Sequence, residues 1–256
     1  MSTILFNISN GVGFITLNRP ESLNSLNREM ALLFQEKLDE CANNAAVRAV
    51  YITGAGKGFC AGQDLAEAAR GKDMDDHLSK LFNPIVMRIC ALQKPVVAAV
   101  NAVAAGAGAN IALCCDIVVA GQSASFMQAF SRIGLIPDCG GTYTLPRLIG
   151  WQRASALMML ADKVPAEEAV RMGMIYKVFP DENFANESIK IATRLAQMPT
   201  RGLGLMKKAL HLSFDNTLEE QLHQEDLLQK QAGQTHDFKE GVAAFLGKRQ
   251  PVFTGE

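Results

Sequence analysis

Three short segments hold the residue types that could do chemistry. The first is GFCAGQDL, residues 58–65. Its small residues let a backbone approach a ligand closely and leave peptide N–H groups pointing outward. The same composition also suits a tight strand-to-helix turn with nothing bound. The second is NAVAAGAGAN, residues 101–110, which follows an apolar run and opens a helix. N–H groups at a helix start have no partner inside the helix, and the aligned peptide dipoles place about half a positive charge there. Such an end can hold a developing oxyanion. Small residues at that point serve close helix–sheet packing equally well. Neither GxGxxG nor GxxxxGK[ST] occurs, which argues against a dinucleotide or Walker-type phosphate site. The third segment is IGLIPDCGGT, residues 133–142, with one carboxylate, Asp138, among apolar neighbours. Loss of hydration would raise its pKa and suit it to proton transfer. Asp138 is also a favoured N-cap for a helix running through Leu145 and Leu148.

No other set of residues suggests a reaction. HExxH, GxSxG and paired Cys/His clusters are absent, and no metal site is expected. His77, His211, His223 and His236 fall in expected helices or in the tail and read as surface groups. The 11 methionines read as core.

These segments need elements to hold them. Residues 4–8 and 13–17 are β-rich and flank Asn10-Gly11, a hairpin signal. Asn27 caps a helix whose Met30, Leu33, Phe34, Leu38 and Cys41 share one face. The apolar runs 49–53, 95–100 and 116–120 read as buried strands. Residues 54–65 read as a loop, about 75–92 and 106–114 as helices, and 174–179 as the last strand. Thr217 and Glu220 form a capping box. Phe238, Val242, Phe245 and Leu246 make an apolar stripe on the final helix. Strands alternating with helices argue for an α/β class. The layout is an α/β core over residues 1–195 and a helical region over 196–256. That region must dock on its own core or on a neighbouring subunit.

Composition excludes several classes. At about 150 residues per domain, 256 residues make one large domain or one with an appendage. Area scaling gives roughly 11,000 Å² exposed against roughly 40,000 Å² unfolded, enough burial for a core without staples. Apolar residues are 48% and charged residues 20%, which excludes disorder. Net charge is −1, so no basic excess exists for nucleic acid. The six cysteines, 41, 60, 90, 114, 115 and 139, form no CxxC pair and read as small buried apolar groups in a reducing compartment. The longest apolar run is too short to span a bilayer, and the first residues lack a signal-peptide pattern. A cytoplasmic protein is expected.

Taken together and in this order, the segments resemble the crotonase (enoyl-CoA hydratase/isomerase) superfamily, from about Ile4 to Phe253. Asn18-Arg19-Pro20 and Leu23-Asn24-Ser25-Leu26 are similar to the family's early CoA-contacting segment. The resemblance implies a spiral of repeated ββα units with a C-terminal helical trimerisation region, assembled as a homotrimer or a dimer of trimers. It implies an acyl-CoA thioester substrate and no cofactor beyond the substrate's own CoA. The N–H groups of Cys60 and Ala107 would form the oxyanion hole, with Asp138 as acid/base. Arg19, Ser22, Leu23, Ala61, Gly62, Gln63, Asp64 and Leu65 would lie along the substrate. Asn110 and Phe130 would shape the acyl pocket, and Phe245 and Lys248, from the same or a neighbouring chain, would meet the nucleotide end. The family's hydratases place two glutamates over the substrate, and those positions match Asn110 and Phe130. One remaining carboxylate suits proton transfer between two carbons better than activation of water. GKGFCAGQDL, NAVAAGAGAN, AFSRIGLIPDCGGTYTLPR and EGVAAFLGKRQPVFTG sharpen the likeness to the isomerase branch, which implies turnover of the ring 1,2-epoxide of phenylacetyl-CoA to an oxepin-CoA in phenylacetate catabolism. Isomerisation or hydration of linear enoyl-CoA esters is the alternative on the same scaffold. A non-catalytic CoA-ester-binding scaffold is the alternative in another class.

Overall fold

The computed structural model describes residues 2–69 and 77–256. The chain opens with strand β1 (Ile4–Ser9) and antiparallel β2 (Val12–Leu17), paired Ser9 to Val12. Asn10 and Gly11 both take positive φ, 50° and 76°, the conformation a two-residue hairpin of this twist requires. Helix α1 (Arg28–Asn43) follows, and Asn27 caps it by accepting from the Met30 N–H at 2.9 Å. Then come β3 (Ala49–Gly54), β4 (Gly58–Cys60) and the short α2 (Leu65–Ala68).

A π-helical turn over His77–Phe82 leads into α3 (Asn83–Ala91). The regular helix begins afresh there because Pro84 has no N–H to donate. The helix expected over about 75–92 is thus in two pieces, and residues 75–76 lie outside the described residues. Next are β5 (Val96–Val100), β6 (Val103–Ala105), α4 (Ala107–Leu113), β7 (Ile117–Gly121) and β8 (Ser125–Met127). A 3₁₀ turn over Ala129–Ile133 precedes α5 (Gly141–Ile149) and α6 (Trp151–Leu160). The chain continues through β9 (Lys163–Pro165), α7 (Ala166–Arg171), β10 (Lys177–Phe179) and α8 (Asp181–Ala196). It ends with α9 (Thr200–Leu212), α10 (Leu218–Gly233) and α11 (His236–Leu246). Thr217 and Glu220 form the expected capping box on α10.

The five longer strands and the three-residue β10 make one sheet in the order β1-β2-β3-β5-β7-β10, parallel from β2 onward. Side chains alternate across it, as the pleat demands. Ala49, Tyr51, Val97, Ala99 and Val119 face Phe184, Ala192 and Ala196 of α8. Val50, Ile52, Val96, Ala98 and Val118 face the main core with Met30, Phe34, Ile85 and Ile89. The short strands make a second sheet, β4-β6-β8-β9. The chain therefore steps from long strand to short strand to helix, as in β5-β6-α4 and β7-β8-α5, and each step adds one strand to each sheet. This is the expected ββα repeat. Residues 54–65 are consequently not a plain loop, because Gly58–Cys60 is a strand.

The helices after residue 196 dock on the chain's own core. Arg48 donates to Phe253 O (2.8 Å), Met198 O (2.6 Å) and Thr200 Oγ1 (3.0 Å). Lys207, buried on α9, donates to Ile89 O at 2.6 Å and pairs with Asp116 at 2.8 Å. His211 is half-buried beside them, whereas His223 and His236 are exposed. The six cysteines are free thiols, all buried except Cys90, which is half-buried. Among the described residues, no helix is long and apolar enough to cross a membrane.

Asn24 is fully buried at φ 58°, and its side chain ties the first turn to β4. Its Nδ2 donates to Ala55 O (2.9 Å) and Gly58 O (2.7 Å), and its Oδ1 accepts from Arg19 N (2.8 Å). Asn24→Ala removes these bonds and leaves an unfavoured φ for alanine. It should cost about 2–4 kcal/mol in urea unfolding, and a loss under about 0.5 kcal/mol would contradict this account.

Candidate active site

The site forms where the second sheet meets α4. Strands β4 and β6 are parallel neighbours, with Cys60 opposite Ala104. On the other side, residues 61–64 lie along residues 23–26: Ala61 N donates to Leu23 O, Leu26 N to Gly62 O, and Asp64 N to Leu26 O. Gly106 turns the chain from β6 into α4 at φ 52°, ψ −127°, a conformation that only glycine takes without strain. Ala107 is the first residue of α4, so its N–H has no partner within the helix. Gly108 brings α4 hard against β4: a Cβ there would sit 2.3 Å from the Cys60 carbonyl oxygen and 2.6 Å from Cys60 Cβ. A Cβ on Gly62 would lie 3.5 Å from Ala107 N. Residues 60, 62 and 107, far apart in sequence, are thereby brought together.

Gly62 and Ala107 border a cavity of about 230 Å³ lined also by Ala61, Gln63, Leu65, Gly106, Ala129, Phe130, Arg132, Ile133, Leu135 and Asp138. Phe130 is buried in its wall, and a Cβ on Gly106 would lie 3.7 Å from its ring. Cys60 is fully buried, and burial pushes its thiol up to about 12, so a thiolate is not available there. Any contribution from residue 60 comes from its main chain.

Asp138 stands at the boundary of this cavity and a second one of about 250 Å³, lined by Leu78, Asn83, Leu135, Ile136, Pro137 and Asp138 with Gln63, Cys139 and Gly140. It is not the cap of α5. Gly140 occupies the N-cap position at φ 75°, with no side-chain cap bond, and the Asp138 main-chain oxygen accepts from Gly141 N at 2.9 Å. The carboxyl group is left for other work. Its Oδ1 is buried with no hydrogen-bond partner. Burial raises the Asp138 pKa above the usual carboxylate range, with only partial relief from the Cys139 thiol and its own main chain. A carboxylate with a free oxygen and raised basicity, beside main-chain donors, can move a proton on a bound carbonyl compound.

The other expected residues have different surroundings. Asn110, 1% exposed, lies behind the wall and lines neither cavity. Its Nδ2 donates to Asp138 O at 2.8 Å and its Oδ1 accepts from Gln128 Nε2 at 2.7 Å. Arg19 pairs with Asp64 at 2.9 Å and donates to Ser25 O at 2.7 Å. Burial works to raise the Asp64 pKa, but Arg19 and the Ala66 and Glu67 N–H groups outweigh it and hold the carboxyl below its ordinary value. Ser22 and Leu23 flank this corner, with Leu23 at φ 50°. Phe245 and Lys248 are exposed, and Phe245 borders a different cavity with Pro199, Phe238 and Phe253. One chain alone does not bring them to Asp138. Gln128 is the polar residue that sequence reasoning passed over. A single buried glutamine after a three-residue strand leaves no periodic signal.

Residues 7–256 match the Enoyl-CoA hydratase/isomerase family. The chain belongs to that family. It is 47% identical to the 1,2-epoxyphenylacetyl-CoA isomerase of Escherichia coli K12, over all of both chains. It is 37% identical to the trans-2-decenoyl-[acyl-carrier-protein] isomerase of Streptococcus mutans, over 99% of this chain and 98% of the relative. Among solved structures, an enoyl-CoA hydratase from Bacillus anthracis superposes with a TM-score of 0.94 at 33% identity, covering 99% of this chain and all of that one. The two-sheet ββα spiral described above is thus the family's fold.

The Gly108 contact makes a direct test. Gly108→Ala forces α4 away from β4, and a displacement near 1 Å should lower catalysed enolisation of a CoA thioester about 100-fold. Deuterium exchange from solvent into phenylacetyl-CoA reads this. Gly202→Ala, where a Cβ meets only ordinary contacts at 3.8 Å, should leave exchange unchanged. Equal rates in both variants would refute the argument.

Proposed function

We propose that the chain is an acyl-CoA isomerase that converts the ring 1,2-epoxide of phenylacetyl-CoA to an oxepin-CoA. One observation carries the reading. Among the described residues a single carboxylate, Asp138, with a partnerless buried oxygen, stands between the chamber beside the Ala107 N–H and a second chamber. Full-length identity of 47% to the Escherichia coli 1,2-epoxyphenylacetyl-CoA isomerase supports the choice of substrate. Positions 110 and 130, where hydratases of the family carry glutamates, hold an amide and a phenyl ring.

In this mechanism the thioester oxygen lies on the Cys60 and Ala107 N–H groups. Asp138 takes a proton from the carbon next to the thioester, and the C–H electron pair moves into an enolate. Each N–H donor is worth about 3–4 kcal/mol to that step. The bond shared by the epoxide and the six-membered ring opens, giving a seven-membered oxepin. Protonated Asp138 then returns its proton to a ring carbon conjugated with the enolate. Atoms and electrons balance within the substrate, so no cofactor beyond its CoA enters. Phe130 supplies an apolar wall for the ring. Arg19, Ser22 and Leu23, the segment 61–65, and Phe245 and Lys248 of a neighbouring subunit lie along the CoA.

A homotrimer, alone or paired, fits the exposed surface. The chain exposes 13381 Å², roughly a fifth above the ~11,000 Å² expected of a monomer this size. Phe245, Leu246, Trp151 and Met159 are each about three-quarters or more exposed. A cytoplasmic location follows the cysteine reading. The helical region from residue 196 forms the trimerisation unit, and the 1–195 core holds the acyl-CoA site.

The 37% identity to a trans-2-decenoyl isomerase supports a second reading, double-bond migration in linear enoyl esters. Turnover of 3-hexenoyl-CoA against the aromatic epoxide separates them, and the epoxide should win. Asp138→Asn should reduce turnover about 10³-fold with thioester binding retained. Tight binding and no proton exchange in the unaltered chain would instead indicate a silent CoA-ester binder.

Burial also gives Asp138 a stability signature. Its folded pKa is raised, so the folded chain holds this proton more tightly than the unfolded chain does. The group's contribution is fully present below its unfolded value and is lost as pH rises through the folded one. At neutral pH the buried carboxylate is a net cost. Asp138→Asn should therefore raise Tm at pH 7, with the gain shrinking as pH falls toward the ordinary carboxylate value of 3.8. A gain independent of pH would contradict the assignment.

A further inference from the structure

Two buried side-chain oxygens among the described residues lack a hydrogen-bond partner, Gln128 Oε1 and Asp138 Oδ1. The two residues that carry them stand at opposite ends of one chain of hydrogen bonds. Gln128 Nε2 donates to Asn110 Oδ1 at 2.7 Å, and Asn110 Nδ2 donates to the Asp138 main-chain oxygen at 2.8 Å. Gln128 and Asn110 are 4% and 1% exposed, and neither lines the two cavities at Asp138. Burying two amides and leaving one oxygen without a partner carries a desolvation cost that an apolar pair would avoid. Packing alone does not account for that arrangement.

Gly141 supports the same conclusion. It lies in α5 without a positive φ, so no backbone conformation demands glycine there. A Cβ at 141 would instead strike Asn110 Nδ2 at 2.3 Å. Glycine at this position leaves the passage through which the Asn110 amide reaches the Asp138 turn. Asn110 also lies one helical turn beyond Ala107 on α4. One rigid helix thus carries an oxyanion donor and the hook that fixes the acid.

We infer that Gln128 and Asn110 form an amide relay that positions Asp138 relative to the Ala107 N–H. Both are positioning residues, since neither touches the substrate cavities. The Asp138 main-chain oxygen sets the direction of both amides: it can only accept, so the Asn110 NH₂ faces it and Asn110 Oδ1 is left to accept from Gln128 Nε2. A carboxylate at 110 could not make the bond to Asp138. The inference rests on Asp138 being the acid/base of the proposed reaction.

The test uses full-length Gln128→Met, Asn110→Ala, the double variant and Asp138→Asn, with solvent-deuterium exchange into phenylacetyl-CoA as probe. Gln128→Met should lower kcat for exchange about 10-fold and Asn110→Ala about 10- to 100-fold, with KM within about twofold. The double variant should lose no more than Asn110→Ala alone, because the two residues act through one path. Unchanged kcat in folded Gln128→Met, a change confined to KM, or fully additive losses would each overturn the relay. If Asn110→Ala does not fold, the kcat of Gln128→Met decides. Asp138→Asn separates the two failures. If it still exchanges, the acid/base reading is wrong. If it is inactive while Gln128→Met and Asn110→Ala match the unaltered chain, only the relay is wrong.

Discussion

Helix α4 lies so near strand β4 that a single methyl group at residue 108 would sit 2.3 Å from the Cys60 carbonyl oxygen. Most of the site follows from that contact. It holds the first residue of α4 beside the segment 60–62, which belongs to a separate ββα unit. Interiors as dense as protein cores transmit such a constraint without much give. The small residues of NAVAAGAGAN are therefore not filler. Ala107, Gly108, Ala109 and Asn110 are all buried, and each larger side chain would push the helix outward. The surrounding hydrogen bonds defend the same geometry from the other side, where Asn24 and the Leu23–Leu26 backbone hold residues 58–64 in place.

Charge is distributed so that one carboxylate near the site remains uncommitted. Asp64 is held by Arg19 and caps α2. Asp116 is held by Lys207 and the Val96 N–H. Among the described residues Asp138 has no cation partner, and burial raises its affinity for a proton. A group in that condition weakens the fold at neutral pH and strengthens proton transfer, a common exchange at functional sites.

Much of the scaffold was legible because its signals are local or periodic. Residues 49–53 and 95–100 are continuous apolar runs, and they are buried on both faces of a parallel sheet. Asn27 and Thr217 sit at the caps their side-chain chemistry favours. The strands Gly58–Cys60, Val103–Ala105 and Ser125–Met127 were not legible. Three residues are too few to show alternation, and pairing with neighbouring units makes them strands. At the site, the two glycine-rich segments and Asp138 could be picked out by residue type. Their surroundings could not. Asp138 looked as much like a helix cap as an acid until Gly140 proved to hold the cap position. Arg19 was expected along the substrate by resemblance alone, and nothing in the sequence announced that its guanidinium is bound to Asp64 and Ser25. Gln128 gave no signal, because a buried amide acquires its meaning only from its partner, here Asn110, 18 positions away, which in turn reaches Asp138, 28 positions further on.

Position 110 shows how one scaffold separates two chemistries. The family resemblance implies that hydration uses carboxylates, one of them at the position of Asn110. Here the same helical position carries an amide whose NH₂ points at the Asp138 carbonyl oxygen. A carboxylate in its place has only acceptors, so it would face that oxygen with like partial charge and release the turn. Gaining a water-holding group at 110 would therefore loosen the acid at 138. The reverse holds as well: once Asp138 is the working group, an uncharged donor behind it fixes its place without adding a second negative charge to a poorly hydrated pocket. On the proposed reading, the choice between moving water and moving a proton is made behind the cavity wall, by whether residue 110 can donate.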